Sequence, residues 1–341
     1  MIAEMAYSHD GKRELAEQIA RDAAAAGANA VSIHITQMPD YMVRHYGSGP
    51  GRVSAGKETS SIYDYLAGIS LSFDDWRAVA ATVREVGLDL VIMPNDAPSF
   101  AFAKTLDPAA LVVPPASFED REFVEDIGRA GKPVYVRVGG ASMGEIEAVI
   151  NQLRGVGNER ITLLYGHQNY PTDIGDTNLM FLRCLRDTFG YPVGIADHID
   201  AEDEFATIMP LMAIPLGITC IEKHLTHDRA KRGEDFESAL NRDEFKRLVE
   251  RVRKAERALG VDHALPLDAA SIRYRDTVRK RLVAARDIKA GERLTPDAIV
   301  AKRADEGASP ALKSAFVGAT AAVDLPRDTG IDWSRVTSRT P

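Results

Sequence analysis

Short apolar runs alternate with amphipathic stretches along roughly the first 227 residues of the chain. The apolar runs have the length of strands, and the stretches between them place apolar residues at helical spacing. Eight runs are predicted as strands: Met1–Ala6, Asn29–Ile35, Asp89–Met93, Leu111–Val113, Val134–Val138, Ile161–Tyr165, Val193–Ala196 and Thr219–Lys223. Repeated strand–helix units are typical of parallel sheets. Eight such units favour a closed (β/α)8 TIM barrel over a doubly wound sheet.

The amphipathic stretches predict the helices that connect these strands. They are Arg13–Ala26, Phe73–Val86, Phe118–Ala130, Met143–Arg154, Asn178–Thr188 and Glu204–Leu216. Ser72 is the expected N-cap of the second helix, because a serine hydroxyl accepts hydrogen bonds from free backbone N–H groups. Pro210 and Pro215 predict that the last helix is kinked or begins late, since proline lacks the N–H that a helix interior uses.

The pattern changes after residue 260. Asp243–Leu259 is strongly helical, and the stretch that follows loses periodicity and contains Pro266, which is typical of a linker. Short strands and turns are then predicted, at Leu282–Ala285, Asp287–Glu292 and Leu294–Ile299. We therefore predict a barrel over 1–260, a linker over 261–281 and a small domain over 282–341. A module of about 60 residues buries little surface alone, so we expect it to pack against another domain or another chain.

Composition limits the class of protein. The 341 residues, 45% of them hydrophobic, suit a barrel of about 250 residues plus a small module. A net charge of −8 with scattered Lys and Arg argues against a nucleic-acid partner. No apolar run approaches the roughly 18 residues that a membrane helix needs. Cys184 and Cys220 are predicted to be reduced, buried thiols, which favours a cytoplasmic location.

A set of short strings carries a family resemblance. The strings are Ala3–Glu4 with Asp10–Gly11, Gly27–Val31, Asn169–Thr172, Asp197–His198, Ile221–His224, Asp243–Lys246, Leu282–Lys289 with Gly291, and Lys302–Arg303. Each string is weak, but together and in this order they make the chain resemble the sialic acid (nonulosonate) synthase family over nearly its full length. The resemblance implies a barrel followed by an antifreeze-like (SAF) domain. It also implies condensation of phosphoenolpyruvate with a sugar aldehyde, and a domain-swapped homodimer in which each tail caps the partner's barrel.

Two histidines follow neighbouring predicted strands. His198 comes after the seventh strand and His224 after the eighth, and the C-terminal ends of barrel strands carry the chemistry. From the residues alone, hydrogen-bonded loop histidines are an alternative reading. The resemblance implies that the pair binds a divalent metal, with manganese first and magnesium, iron or zinc as alternatives. Asp197 is then expected to orient His198.

Other site residues are implied by the resemblance. Glu4, at the end of the first strand, matches a carboxylate at the reacting centre, and its alternative is a structural acid. Asp235 matches an aspartate that contacts substrate, with a solvated loop acid as its alternative. Tyr170 and Asn169, after the sixth strand, match positions that touch the substrates. Arg303 matches an arginine that the tail offers to the partner's active site, where a guanidinium suits a carboxylate or an acyl oxygen.

The chain departs from the family where phosphoenolpyruvate binds. Lys-Phe-Gln is usual after strand two, Thr-Pro after three, Phe-Lys-Ile-Pro-Ser-Gly-Glu after four and Ser-Thr-Gly after five. The corresponding stretches here are Ser32–His34, Met93–Pro94, Leu111–Ser117 and Arg137–Gly139. A trianionic ligand needs cations and donors to replace its hydration, and two lysines are missing. The new polar residues His34, Arg137 and His167 are expected to bind substrate, with a structural salt bridge as the alternative for Arg137.

Three functions remain open from the sequence. The first is a metal-dependent, sialic acid synthase-like transferase that forms a carbon–carbon bond to a sugar aldehyde with an altered donor site. The second is a metal-dependent aldolase, lyase or isomerase that acts on a compound resembling a sugar acid. The third is a non-catalytic relative that binds a sugar. The retained Glu4, His198, His224 and Arg303 argue against the third.

Overall fold

A computed structural model of the chain describes residues 1–46, 61–261 and 266–337. The chain divides into two compact units, Met1–Gly260 and Val261–Pro341. Each unit has its own hydrophobic core. The predicted linker, 261–281, falls in the second unit, and its residues Ala269–Val278 form a helix.

The first unit is a closed barrel of eight parallel strands in sequential order. The strands are β1 Ile2–Glu4, β2 Ala30–Ile35, β3 Asp89–Pro94, β4 Ala110–Val113, β5 Val134–Arg137, β6 Ile161–Tyr165, β7 Val193–Asp197 and β8 Cys220–His224. Ile2 is in register with Ala30 of β2 on one side and with Glu222 of β8 on the other, which closes the ring. The prediction of a (β/α)8 barrel is confirmed.

Helices connect the strands in the predicted alternation. They are α1 Arg13–Ala26, α2 Met38–Tyr41, α3 Ile62–Ile69, α4 Phe73–Glu85, α5 Ala97–Thr105, α6 Arg121–Arg129, α7 Met143–Gly155, α8 Met180–Phe189, α9 Met209–Ala213 and α10 Arg242–Leu259. Ser72 caps α4 as predicted, accepting from the Asp75 N–H while the Asp75 carboxylate accepts from the Ser72 N–H. The stretch with Pro210 and Pro215 is broken into a short α-helix between two 3-10 turns.

Two alternating side-chain layers explain how the barrel positions its polar groups. One face of the strands belongs to the large core shared with the helices, including Val31, Ile33 and Leu111. The other face forms a separate small cluster that includes Ile2 and Val112. Because side chains alternate along a strand, Glu4 shares the face of Ile2, inside the barrel. The barrel interior is therefore apolar near the strand starts and polar near the strand ends.

Helix α5 was missed by the sequence analysis. Its residues Ala97–Thr105 are apolar on most sides, so they show no helical periodicity. The helix was signalled instead by its start, because Asp96 caps the Ser99 N–H and Pro98 occupies the first turn. Helices α2 and α3 were missed as well. They lie in the segment between β2 and α4 and bury Met38, Tyr63 and Leu66 in a cluster of their own.

The second unit contains α11 Ala269–Val278, β9 Lys280–Ala284, β10 Ile299–Arg303, α12 Lys313–Phe316, β11 Thr320–Ala321 and β12 Val336–Thr337. Strands β9 and β10 are antiparallel, as are β11 and β12. The predicted strand at Leu294–Ile299 is wrong: Leu294 and Ala298 are core residues of turns, and the strand begins only at Ile299. Helix α11 lies where a linker was predicted, and none of its residues is buried.

Two further expectations concern the whole chain. Both cysteines are free thiols, but Cys184 is exposed, so its predicted burial is wrong. It lies on the outer side of α8, away from the buried Leu182 and Leu185. Within the described ranges, no helix is both long enough and apolar enough to cross a membrane.

Candidate active site

Polar side chains converge where the barrel strands end. Glu4, Arg137, Asp197 and His224 are the last residues of β1, β5, β7 and β8, and His198 directly follows β7. All strands of a parallel barrel end at the same face, so residues far apart in sequence become neighbours there. The strand ends were predicted within one or two residues, which placed most of these side chains at the correct face.

A buried ion cluster occupies the middle of this face. Nη2 of Arg137 lies 2.7 Å from Oε2 of Glu4 and 2.6 Å from Oε1 of Glu222. The side chains of Glu4, Arg137 and Glu222 are only 0%, 3% and 2% exposed, so each charge depends on its partners. Nε2 of His34 lies 3.3 Å from Oε1 of Glu4. Arg137 therefore forms a salt bridge, which was the alternative to its expected role in binding substrate. Its partner Glu4 is the residue expected at the reacting centre.

The two glutamates of the cluster titrate in opposite directions. Burial raises the pKa of Glu222 to about 8, and the nearby Glu4 charge adds to this while Arg137 opposes it. Burial also acts to raise the pKa of Glu4, but His34 and Arg137 outweigh it and hold that pKa well below its usual value. Two carboxyls beside one guanidinium thus divide into an ionised Glu4 and a Glu222 that retains its proton at neutral pH.

The two predicted metal-binding histidines lie side by side. The ring centroids of His198 and His224 are 5.1 Å apart, and the Tyr170 ring is nearly perpendicular to both, with centroid distances of 5.2 Å and 5.7 Å. None of the four imidazole nitrogens has a hydrogen-bond partner in the described residues. Burial lowers the pKa of His224 to about 3 and lowers that of His198 well below its usual value. Both rings are therefore neutral, the form that binds metals.

Asp197 does not orient His198, which corrects the expectation from the sequence. Its Oδ2 lies 2.9 Å from Nζ of Lys223, and its Oδ1 accepts a hydrogen bond from the Ile199 N–H. Lys223 is fully buried and also donates to the Ile199 carbonyl at 3.0 Å. The His198 backbone is held instead through its carbonyl, which accepts from Ser238 Oγ at 2.6 Å. Asp197 and Lys223 thus join the ends of β7 and β8.

The remaining predicted site residues do not all lie at the histidine pair. Oδ2 of Asp235 lies 4.0 Å from Nδ1 of His224, which puts Asp235 at the histidine pair. His167 packs edge-on against Tyr165, with ring centroids 5.7 Å apart. Asn169 is exposed on the same loop. Arg303 belongs to the second unit, where it is exposed and donates to the Thr277 carbonyl.

Sequence reasoning missed a polar network at the ends of β1, β2 and β3. The Tyr7 hydroxyl donates to Oγ1 of Thr36 at 2.9 Å, and the Asn95 amide donates to the same oxygen at 2.8 Å. Each of these residues follows its strand by one to three positions, which is the signal that could have found them. Glu222 is a buried acid near the end of β8, and a buried carboxyl needs a partner. Its spacing of two residues from His224 places both side chains on the inner face of β8.

The described residues contain no group of three or more His, Cys, Asp or Glu side chains arranged to hold a metal ion. Two neutral, unpartnered imidazoles nevertheless fit two positions of a coordination shell. Catalytic metal sites leave positions open for water and substrate. The chemistry of the pair thus fits a metal whose remaining ligands come from outside the protein.

A parallel barrel with polar groups gathered at its C-terminal face, followed by a small β-rich domain, defines a class of two-domain barrel enzymes. Residues 19–264 match the model of the NeuB family, and residues 279–337 match the SAF domain. The chain belongs to the NeuB family, and its tail is a SAF domain. It is a member of a group of sialic acid synthase-like enzymes of carbohydrate biosynthesis.

Several relatives match nearly the whole chain. A pseudaminic acid synthase of Campylobacter jejuni is 30% identical over 95% of this chain and 93% of its own length. An N,N'-diacetyllegionaminic acid synthase of Legionella pneumophila is 25% identical over 98% and 94%. Among solved structures, a putative spore coat polysaccharide biosynthesis protein E of Chromobacterium violaceum superposes with a TM-score of 0.72 at 21% identity, covering 98% of each chain. That structural likeness supports the fold.

Proposed function

We propose that this protein is a divalent-metal-dependent enzyme that forms a carbon–carbon bond to a sugar aldehyde in the biosynthesis of nonulosonates or related carbohydrates. The observation that carries the proposal is the pair of buried, neutral imidazoles of His198 and His224 at adjacent strand ends, whose nitrogens have no hydrogen-bond partner in the described residues. Two relatives are named as synthases of pseudaminic and legionaminic acid, which supports the reaction class.

The roles of the residues follow from their positions. His198 and His224 would hold the metal, with manganese as the first choice. When bound, a divalent metal polarises a carbonyl as a Lewis acid. Tyr170 closes one side of the histidine pair, and its edge-on ring fixes the orientation of both imidazoles. Asp235 lies beside His224, where its carboxylate can accept hydrogen bonds from sugar hydroxyls.

The ion cluster supplies the acid–base groups next to this pair. Glu4 remains ionised through Arg137 and His34, whereas burial keeps a proton on Glu222. Glu222 can therefore donate a proton to a developing alkoxide, while Glu4 stabilises the cationic groups around it. Asn169 and His167, on the loop after β6, are proposed to contact the substrate at the rim.

A metal-dependent aldolase or lyase that acts on a sugar acid is the second candidate. It is favoured by the Arg137 cluster, because a guanidinium already paired with two carboxyls is poorly suited to a phosphate ester. Such an enzyme would use the same metal pair and the same acid–base groups. It would differ only in its donor and in the direction of the reaction.

We also propose a homodimer in which the tail of one chain covers the barrel of the other. Residues 261–341 contain 14 Lys and Arg against 11 Asp and Glu, so their net charge is +3. Because the whole chain has a net charge of −8, residues 1–260 have a net charge of −11. Helix α11 also leaves Ile272, Tyr274 and Val278 exposed. Opposite charge and uncovered apolar side chains support docking between copies, with Arg303 reaching the partner's site.

The test is a product assay with manganese, N-acetylmannosamine as the sugar aldehyde, and either phosphoenolpyruvate or pyruvate as donor. Mass spectrometry should find a nine-carbon-chain 2-oxo acid product that is lost in His198→Ala. The altered donor site predicts little phosphate release from phosphoenolpyruvate. If no donor yields a product with this or related acylamino aldehyde sugars, and manganese causes no thermal shift, the proposal fails.

A further inference from the structure

Residues 237–240, between β8 and α10, bond to the backbone that follows both β7 and β8. On the β7 side, the Glu237 carbonyl accepts a hydrogen bond from the Ala201 N–H at 2.7 Å. On the β8 side, the Leu240 N–H donates to the His224 carbonyl at 2.9 Å. We call residues 237–240 the bridging segment, because it links the ends of the two strands that present the histidine pair.

Ser238 of the bridging segment reaches the other histidine with its side chain. It is fully buried, and its Oγ donates to the His198 carbonyl at 2.6 Å. The same carbonyl accepts from the Thr172 N–H at 2.8 Å. The backbone of each histidine therefore accepts a hydrogen bond from the bridging segment, His198 from the Ser238 hydroxyl and His224 from the Leu240 N–H.

The separation of the two imidazoles depends on the backbone that carries them. Their ring centroids are 5.1 Å apart. A metal held by both rings needs its ligands within about 0.5 Å and about 10–20° of the productive geometry. Lys223 links β8 to the residues on either side of His198, through the Asp197 carboxylate and the Ile199 carbonyl. Ser238 instead holds the carbonyl of His198 itself, so it acts on the ligand most directly.

We propose that Ser238 is a positioning residue, which fixes the separation of His198 and His224 for the metal that the proposed function requires. It contacts neither metal nor substrate and acts through the His198 backbone. The bond is made by a side chain, so a substitution can remove it while the backbone hydrogen bonds of the bridging segment remain. The inference rests on the proposed function for the metal, whereas the separation of the rings is a property of the protein alone.

Calorimetric titration with manganese compares the unmodified protein with Ser238→Ala. The affinity of the variant is expected to fall about tenfold, the lower end of the range for losing a group that orients a metal-bound histidine. Thr219→Val is the matched control. The Thr219 hydroxyl donates to the Val193 carbonyl at 3.2 Å and so links the starts of the same two strands, away from the histidines. Its removal should leave manganese affinity unchanged.

Electron paramagnetic resonance of the bound manganese separates positioning from a general loss of stability. A loosened histidine pair holds the ion in a wider range of geometries, so the manganese lines should broaden in Ser238→Ala and remain unchanged in Thr219→Val. Ser238→Cys provides a second variant if Ser238→Ala does not fold, because a thiol has nearly the same shape but is a weaker donor. Its manganese affinity should lie between those of the unmodified protein and an alanine variant. Unchanged affinity and line width in whichever variant folds would overturn the inference.

Crystal structures of the metal-free proteins distinguish failure of this inference from failure of the proposed function. The separation of the His198 and His224 rings is expected to change by more than about 0.5 Å in Ser238→Ala. If the unmodified protein binds no manganese but the separation changes, the proposed function fails and the positioning role is supported. If the unmodified protein binds manganese and makes product, yet the separation is the same in both structures, the proposed function stands and the positioning role is overturned.

Discussion

Buried polar residues at the barrel mouth differ in whether they have partners within the described residues. His198 and His224 contrast with Lys223: the lysine has both a carboxylate and a carbonyl partner, whereas the imidazole nitrogens have no hydrogen-bond partner in the described residues. Buried polar groups are normally satisfied, and those that are not are commonly functional. The contrast within one strand therefore separates a structural residue from a candidate ligand.

Replacing either histidine by alanine should abolish tight metal binding. Even losing a residue that only orients a metal-bound histidine costs about 10- to 100-fold in affinity. His198→Ala and His224→Ala should therefore each weaken manganese binding by more than about 100-fold, measured by calorimetry, while circular dichroism remains unchanged. His45→Ala is the control, because His45 is exposed. Equal manganese affinity in all three variants would contradict the assignment of the metal site.

His9 should make the protein less stable in acid. Burial lowers its pKa to about 3, its Nδ1 accepts from the Gly11 N–H, and its ring packs edge-on against Trp76. Between pH 6.5 and 3 the unfolded chain binds a proton on this histidine that the native state does not, so native stability falls as the pH falls. At pH 5 the loss is about 2 kcal/mol from His9 alone.

The measurement is urea unfolding at several pH values. His9→Asn preserves an acceptor for the Gly11 N–H and cannot titrate, so its unfolding free energy should decline less steeply below pH 6.5. His198 and His224 also have lowered pKa values and keep part of the slope in the variant. The same steepness in both proteins would show that His9 is protonated equally in the folded and unfolded states.

At the scale of elements, the ends of β5, β6 and β7 approach one another through glycines. A Cβ on Gly139 would lie 1.9 Å from the carbonyl oxygen of Gly166, and a Cβ on Gly166 would lie 1.8 Å from that of Ala196. Both approaches involve backbone, which cannot rotate away as a side chain can. These glycines bring the loop that carries Tyr170 next to the strand end that carries His198.

Gly139→Ala should therefore disturb both stability and the site. Overpacking of this kind costs about 1–3 kcal/mol, and it should also weaken manganese binding, because the β6 loop must shift. Gly144→Ala is the matched control in the adjacent helix α7, where an added Cβ meets nothing within 4 Å. Alanine there should be neutral or slightly stabilising. The two variants are compared by thermal melting and by manganese titration. Identical melting temperatures and manganese affinities would contradict the close approach of Gly139 to the Gly166 carbonyl.

At the scale of the whole molecule, the two units have net charges of opposite sign. The tail is positive and the barrel strongly negative, so association of copies should weaken as salt rises. Light scattering at micromolar concentration should find a dimer. Raising the salt from about 0.1 to about 1 M shortens the Debye length from about 10 to about 3 Å and should shift the equilibrium towards monomer. A monomer at low salt would refute the proposed dimer.

Mixing two inactive variants tests whether Arg303 acts on the partner's barrel. His198→Ala lacks the barrel function, and Arg303→Ala lacks the tail function. In a mixed dimer, the barrel with intact His198 receives Arg303 from the other chain, so about one quarter of all sites should recover after random exchange. Product formation should reappear on mixing. No recovery, with exchange of chains verified, would show that each tail serves its own barrel.

The order of elements was readable from the sequence because it depends on local patterns. Apolar runs of strand length, amphipathic stretches such as Arg13–Ala26 and the Ser72 cap are properties of neighbouring residues. The eightfold repeat then implied the barrel, and strand-end positions placed Glu4, His198 and His224 at one face. Helix α5 was not predicted, because its own residues are apolar on most sides and therefore lack the periodicity that reveals an amphipathic helix.

Only the tertiary structure decided which polar groups are partners. Arg137 and Glu4 are 133 residues apart, and nothing in either local pattern shows that closure of the ring brings them within 2.7 Å. Asp197 was expected at His198 but pairs with Lys223, because both side chains are fully buried at neighbouring strand ends and neither charge is tolerable alone. Local sequence thus determined the elements and the face where chemistry occurs. Closure of the barrel determined the pairing of charges, since burial forces each charged group to choose a partner from distant strands.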